Sequence, residues 1–156
     1  MTPKENGFNC LNHGDCWISN IFLLSDENDN VIDCKFVDFQ QSVFASPSVD
    51  LLTLIISTAH SSTKLQNFEY YIKYYHEILV ETLKLLKYTQ KIPSLKELFM
   101  DANDRAFLAV WNAFVMLPPC LIENLEDSSS DNLLGSNEEG QNYKMKLYNN
   151  ELYQKH

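Results

Sequence analysis

Two short apolar runs, 20–24 and 31–39, flank the turn-forming segment SDENDN at 25–30, and three polar residues, Asp15, Asn20 and Asp38, bracket them. Asp and Asn tolerate tight backbone, so the pattern predicts a β-hairpin with Asp15 and Asn20 ahead of its first strand and Asp38 near the end of its second. An Asp followed five positions later by an Asn suits one turn of loop that points both side chains into one pocket. Such an Asp can accept the proton of an attacking hydroxyl, and such an Asn can hold a magnesium ion. A carboxylate at Asp38 adds a hard oxygen ligand for metals that bridge nucleotide phosphates. This is the spacing of a phosphoryl-transfer loop, a chemistry that rests on positioning and charge neutralisation.

The chain has 156 residues, the length of one ordinary domain, and 45% hydrophobic residues, enough for a core. Its formal net charge of −9 at pH 7 argues against nucleic acid as a partner, which requires a basic footprint. Cys10, Cys16, Cys34 and Cys120 form no CxxC pair, so they read as reduced thiols packed as small hydrophobes. The polar first eight residues carry no signal-peptide pattern. The longest apolar stretch, 107–122, is broken by Asn112, Pro118 and Pro119 and falls short of the ~20 residues a membrane span needs. The expectation is a cytoplasmic protein with no membrane partner.

Downstream of the hairpin the pattern becomes helical. Pro47 precedes a helix start at Ser48, expected to run to about Ala59. Phe68, Ile72, Tyr75, Leu79, Leu83 and Leu86 recur at steps of three and four, predicting a long helix over 65–89 that Pro93 stops. Ser94 and Glu97 form a capping-box pattern for the next helix. Residues 105–117 read as helix until Pro118. The expected organisation is a loose leader over 1–8, a lobe over 9–122, an acidic flexible loop over 123–142 and a terminal helix over 143–156. Hairpin first and helices after gives an α+β, mainly helical fold.

The motif HGDCWISN at 13–20, VDFQ at 37–40 and SPSVDL at 46–51 together resemble the ecdysteroid kinase-like (CHK kinase-like) family, relatives of choline kinases and aminoglycoside phosphotransferases. Trp17 and Gln40 are similar to the ecdysteroid-kinase branch in particular. The resemblance spans roughly 8–120. It implies the C-terminal lobe of a protein-kinase-like (aminoglycoside phosphotransferase-like) fold whose hairpin carries the catalytic loop. It implies ATP-dependent phosphorylation of a hydroxyl on a small molecule, an ecdysteroid-like or related alcohol, with Mg²⁺ and ATP. By position it makes Asp15 the base and His13 a structural loop residue of the catalytic set. Asn20 and Asp38 become the metal- and nucleotide-binding pair, and Asp50 a brace for the loop.

The family's kinases also use an N-terminal lobe with a phosphate-covering loop and a strand lysine. Here twelve residues precede His13, and the four glycines, at 7, 14, 135 and 140, form no Gly-rich loop. The expectation is that the N-lobe is missing, that this chain alone has little kinase activity, and that the surface facing that lobe is apolar. A non-catalytic lobe acting as a binding or interaction module remains the alternative. A metal-dependent hydrolase is disfavoured, because His13 is the one histidine in the motif.

Overall fold

The computed structural model describes residues 2–58, 61–64, 66–121 and 130–155. Its strands form two antiparallel pairs. β1 (Cys10–Asn12) pairs with β4 (Val43–Ala45), and β2 (Ile21–Ser25) pairs with β3 (Val31–Phe36). Everything beyond β4 among the described residues is helix or connection, so the fold is mainly helical with a small β part.

The hairpin turn closes as its composition predicts. The Asp26 carboxylate accepts from the backbone N–H groups of Asn28 and Asn30 and from the Asn30 amide, and Asp29 takes the left-handed conformation (φ 62). Both faces of the hairpin are open. Phe22, Leu23, Leu24, Val31 and Ile32 are each more than half exposed. The second strand ends earlier than expected, at Phe36. Val37 N–H still bonds to Asn20 O, opposite it in the same register, but its carbonyl accepts from the His13 ring instead of continuing the ladder. Asp38 follows in a left-handed conformation (φ 64, ψ 62) and leads into a 3-10 turn, Phe39–Gln41.

The core lies among three helices: α1 (Ser48–Thr58), α3 (Phe68–Leu85) and α4 (Leu95–Asp104). Leu51, Leu52 and Ile55 of α1 meet Ile72 of α3 and Leu98 and Ala102 of α4, with Phe68, Tyr71 and Tyr75 packed around them. The one-sided spacing of these residues is what makes the helices pair. A short α2 (Ser61–Lys64) precedes α3, and Lys64 bonds back to the Ile56 carbonyl of α1 at 2.8 Å.

α3 stops at Leu85, well before Pro93. Lys87 takes a left-handed conformation (φ 54), Tyr88 N–H bonds to Leu83 O, and Lys87 N–H bonds to Lys84 O. This is a Schellman cap with lysine where glycine is usual. α4 starts at the expected capping box, with Ser94 and Glu97 bonding reciprocally.

The C-terminal part departs from the sequence expectation. The helical run after Arg105 does not end before Pro118. It passes from α5 (Ala106–Trp111) through a π-helical turn (Asn112–Met116) into α6 (Leu117–Cys120), with the prolines in the first turn of α6. Pro118 has no N–H for the carbonyl four residues back, that of Phe114. The Tyr148 hydroxyl donates to this carbonyl at 2.9 Å instead. The segment expected as a loop over 123–142 contains α7 (Ser130–Leu134) and the start of α8 (Glu138–Tyr148), and residues 122–129 lie outside the described set. Asn137 caps α8 by accepting from Gly140 N–H, so the polar residues that read as loop serve as caps. α9 (Glu151–Lys155) follows Asn149 and Asn150, dividing the expected terminal helix.

Lys4 reaches Asp101 and Asp104 on α4 at 3.4 and 3.3 Å, and Asn9 folds back on the Lys4 backbone. No helix among the described residues is long and apolar enough to cross a membrane.

Candidate functional site

The 13–20 loop runs from β1 to β2 and is held from three sides. Gly14 turns it with φ 81, a conformation L side chains avoid, and a Cβ there would sit 2.0 Å from the Gln41 carbonyl oxygen. The Asp50 carboxylate, in the first turn of α1, accepts from His13 N–H at 2.5 Å and from Gly14 N–H at 2.9 Å. Asp50 is itself placed by Asn12, whose side-chain oxygen accepts from Asp50 N–H and whose amide donates to the Ala45 carbonyl. Sequence reading did not single out Asn12, because an isolated Asn on a three-residue strand carries no pattern.

His13 is buried, and its ring donates from Nε2 to Val37 O at 2.7 Å. The imidazole lies 4.6 Å from the Phe39 ring and 6.1 Å from the Phe36 ring, centroid to centroid. His13 therefore ties the loop to the chain just before Asp38.

Asp15 and Asn20 are brought together. Asn20 Nδ2 donates to the Asp15 backbone oxygen at 2.9 Å and to its carboxylate at 3.0 Å. This orientation fixes the amide and turns Asn20 Oδ1 away from Asp15. Asp38 stands apart from that pair in hydrogen bonding. Its carboxylate accepts from Gln40 Nε2 at 3.3 Å and is exposed, and the link to the loop runs through the adjacent Val37. Among the described residues no three His, Cys, Asp or Glu side chains gather as a metal cluster. The donor chemistry still fits magnesium, which takes one or two protein oxygens and completes its shell with water and substrate phosphates. Asn20 Oδ1 and the Asp38 carboxylate are donors of that kind.

Cys16, inside the loop, is buried. Burial, reinforced by the charges of Asp50 and Asp15, pushes its thiol up to about 12. Cys120, on α6, is pushed up to about 11 by burial and by the charge of Asp15.

A cleft of about 460 Å³ lies elsewhere, bounded by Lys4, Phe8, Phe44, Tyr88, Lys91 and Asp101, and none of Asp15, Asn20 or Asp38 lines it. Asp15 and Asn20 are themselves partly buried, and Asp38 is exposed.

The chain thus combines a glycine-turned loop, an aspartate bonded to an asparagine five residues on, and a second aspartate just past a hairpin. The ecdysteroid kinase-like family model matches residues 1–88, more than half of the chain, and the chain belongs to that family. No curated protein and no solved structure matches it.

Proposed function

We propose that this chain is the catalytic-loop lobe of an ATP-dependent kinase that phosphorylates a hydroxyl group on a small molecule, an ecdysteroid-like or related alcohol. The observation that carries the reading is the Asn20 amide fixed on the Asp15 carboxylate in a chain of this family. Asp15 is the base: it accepts the proton of the acceptor hydroxyl as that oxygen takes the phosphoryl group. The Asn20 bond holds its carboxylate in one orientation. Asn20 Oδ1 and Asp38 would hold Mg²⁺, which neutralises phosphate charge when bound. His13 and Asp50 keep the loop backbone in place. A cytoplasmic location belongs to the same reading.

A second reading, a non-catalytic binding module, is favoured by one observation. Lys4, ahead of the loop, is committed to Asp101 and Asp104 at 3.4 and 3.3 Å. On this reading the lobe binds a partner or a small alcohol without turnover.

Calorimetry with MgATP and the purified chain separates the two. Magnesium-dependent binding that Asp38→Asn abolishes supports the kinase-lobe reading. The absence of any magnesium-dependent nucleotide binding rejects it and leaves the binding module.

A further inference from the structure

Asp101 belongs to no motif, yet its buried carboxylate accepts from three side chains. It sits on α4, is 9% exposed, and accepts from the Ser46 hydroxyl, from Arg105 Nε at 3.3 Å and from Lys4 Nζ at 3.4 Å. Burying a carboxylate is unfavourable unless it is paired and hydrogen-bonded, and Asp101 has both kinds of partner. Ser46 is 1% exposed and lies just ahead of α1. Its hydroxyl has one proton, directed to Asp101, so its lone pairs face the other way. One of them accepts from Ser48 N–H at 3.1 Å, at the start of α1. The Ser46 carbonyl takes Val49 N–H at 3.1 Å.

Two positions beyond Ser48 on the same first turn is Asp50, whose two oxygens hold the His13 and Gly14 N–H groups. The bonds form a continuous line: α4 carboxylate, Ser46 hydroxyl, α1 first turn, Asp50 carboxylate, loop backbone. A rotation of the α1 terminus would shorten one Asp50 bond and lengthen the other, because both come from one rigid carboxylate.

We infer that Asp101 is a positioning residue for the 13–20 loop, acting through Ser46 and the first turn of α1 on Asp50, and that Lys4 ties the leader into the same clamp. The inference rests on reading that loop as the site. Its distinctive consequence is coupling: the amides of His13 and Gly14 open together with that of Ser48, although they lie on different elements.

Native-state hydrogen exchange followed by NMR over a series of low urea concentrations tests this on the wild-type chain. His13, Gly14 and Ser48 should share one opening event below global unfolding, with the same urea dependence. Ser46→Ala and Asp101→Asn should each speed exchange at His13 and Gly14 by roughly tenfold or more, leaving Leu52 and Ile72 within about twofold. Separate openings in the wild type overturn the inference. So does unchanged His13 and Gly14 exchange in the variants, or a uniform loss of protection that includes Leu52 and Ile72. If either variant fails to fold, the wild-type urea series decides alone. Exchange does not depend on phosphate transfer, so a chain that passes here and binds no nucleotide rejects the kinase reading only. One that fails here leaves that reading standing.

Discussion

Replacing Asp50 with Ala removes both oxygens that hold the loop backbone. The two N–H···O bonds, 2.5 Å from His13 and 2.9 Å from Gly14, end on a charged acceptor. Such bonds contribute ~1.5–3 kcal/mol each, so the pair is worth about 3–6 kcal/mol before correction. Asp50 is half-buried, and water reaching the freed N–H groups reduces this to about 2–4 kcal/mol. A further ~0.3–1 kcal/mol comes from losing a negative charge in the first turn of α1. Asp50→Asn keeps one acceptor oxygen but sets an amide donor against the second N–H, so about half the loss is expected. The assay is urea unfolding followed by tryptophan fluorescence, with Trp17 reporting from the loop and Trp111 from α5. An Ala variant within about 0.5 kcal/mol of wild type, the scatter of ordinary surface substitutions, would refute the claim that Asp50 holds the loop.

Three further outcomes are expected. Lys87→Gly should raise stability by roughly 0.5–1 kcal/mol in the same urea assay, because glycine occupies the left-handed cap position without a Cβ penalty; a loss of stability would contradict the Schellman assignment. Alkylation near pH 8, read by mass spectrometry, should modify exposed Cys34 first and spare Cys16, whose thiol burial pushes up to about 12; early labelling of Cys16 would show the loop to be open. Burial pushes the Asp101 carboxyl up, but the Ser46 hydroxyl, Arg105 and Lys4 more than offset it, and the result lies below the usual carboxylate range. A depressed folded value means the contribution is present above the unfolded value, ~3.9, and is lost as pH falls through the folded value. Stability should therefore drop on acidification below about pH 4, and Asp101→Asn should flatten that drop; an unchanged acid profile in the variant would contradict it.

Features written in neighbouring residues were legible in the sequence. The Asp26–Asn30 turn, the capping box at Ser94 and Glu97, the start of α1 after Pro47 and the hydrophobic face of α3 each depend on contacts within a few positions. What was not legible depends on partners far along the chain. The β1–β4 pair joins two three-residue strands, too short for an alternation pattern. The run through Pro118 survives because Tyr148, thirty positions on, donates to the carbonyl the proline leaves unpaired. α3 is capped by a left-handed Lys87, where a glycine would have announced the stop. The site divides the same way. The Asp15–Asn20 bond spans five residues and followed from spacing, whereas the left-handed placement of Asp38 and the clamp from Asp101 through Ser46 needed the fold.

The central claim is that Asn20 and Asp38 would hold one divalent cation with a nucleotide, beside Asp15 as the base. Paramagnetic line broadening tests it directly. Trace Mn²⁺ with ATP is added to isotopically labelled chain, and broadening is mapped by residue. The account predicts preferential loss of the Asn20 side-chain amide and of the Asp15, Asn20 and Asp38 backbone signals, reversed by excess Mg²⁺. Broadening scattered over the acidic surface, with those three no more affected than Glu138 or Glu151, would contradict it.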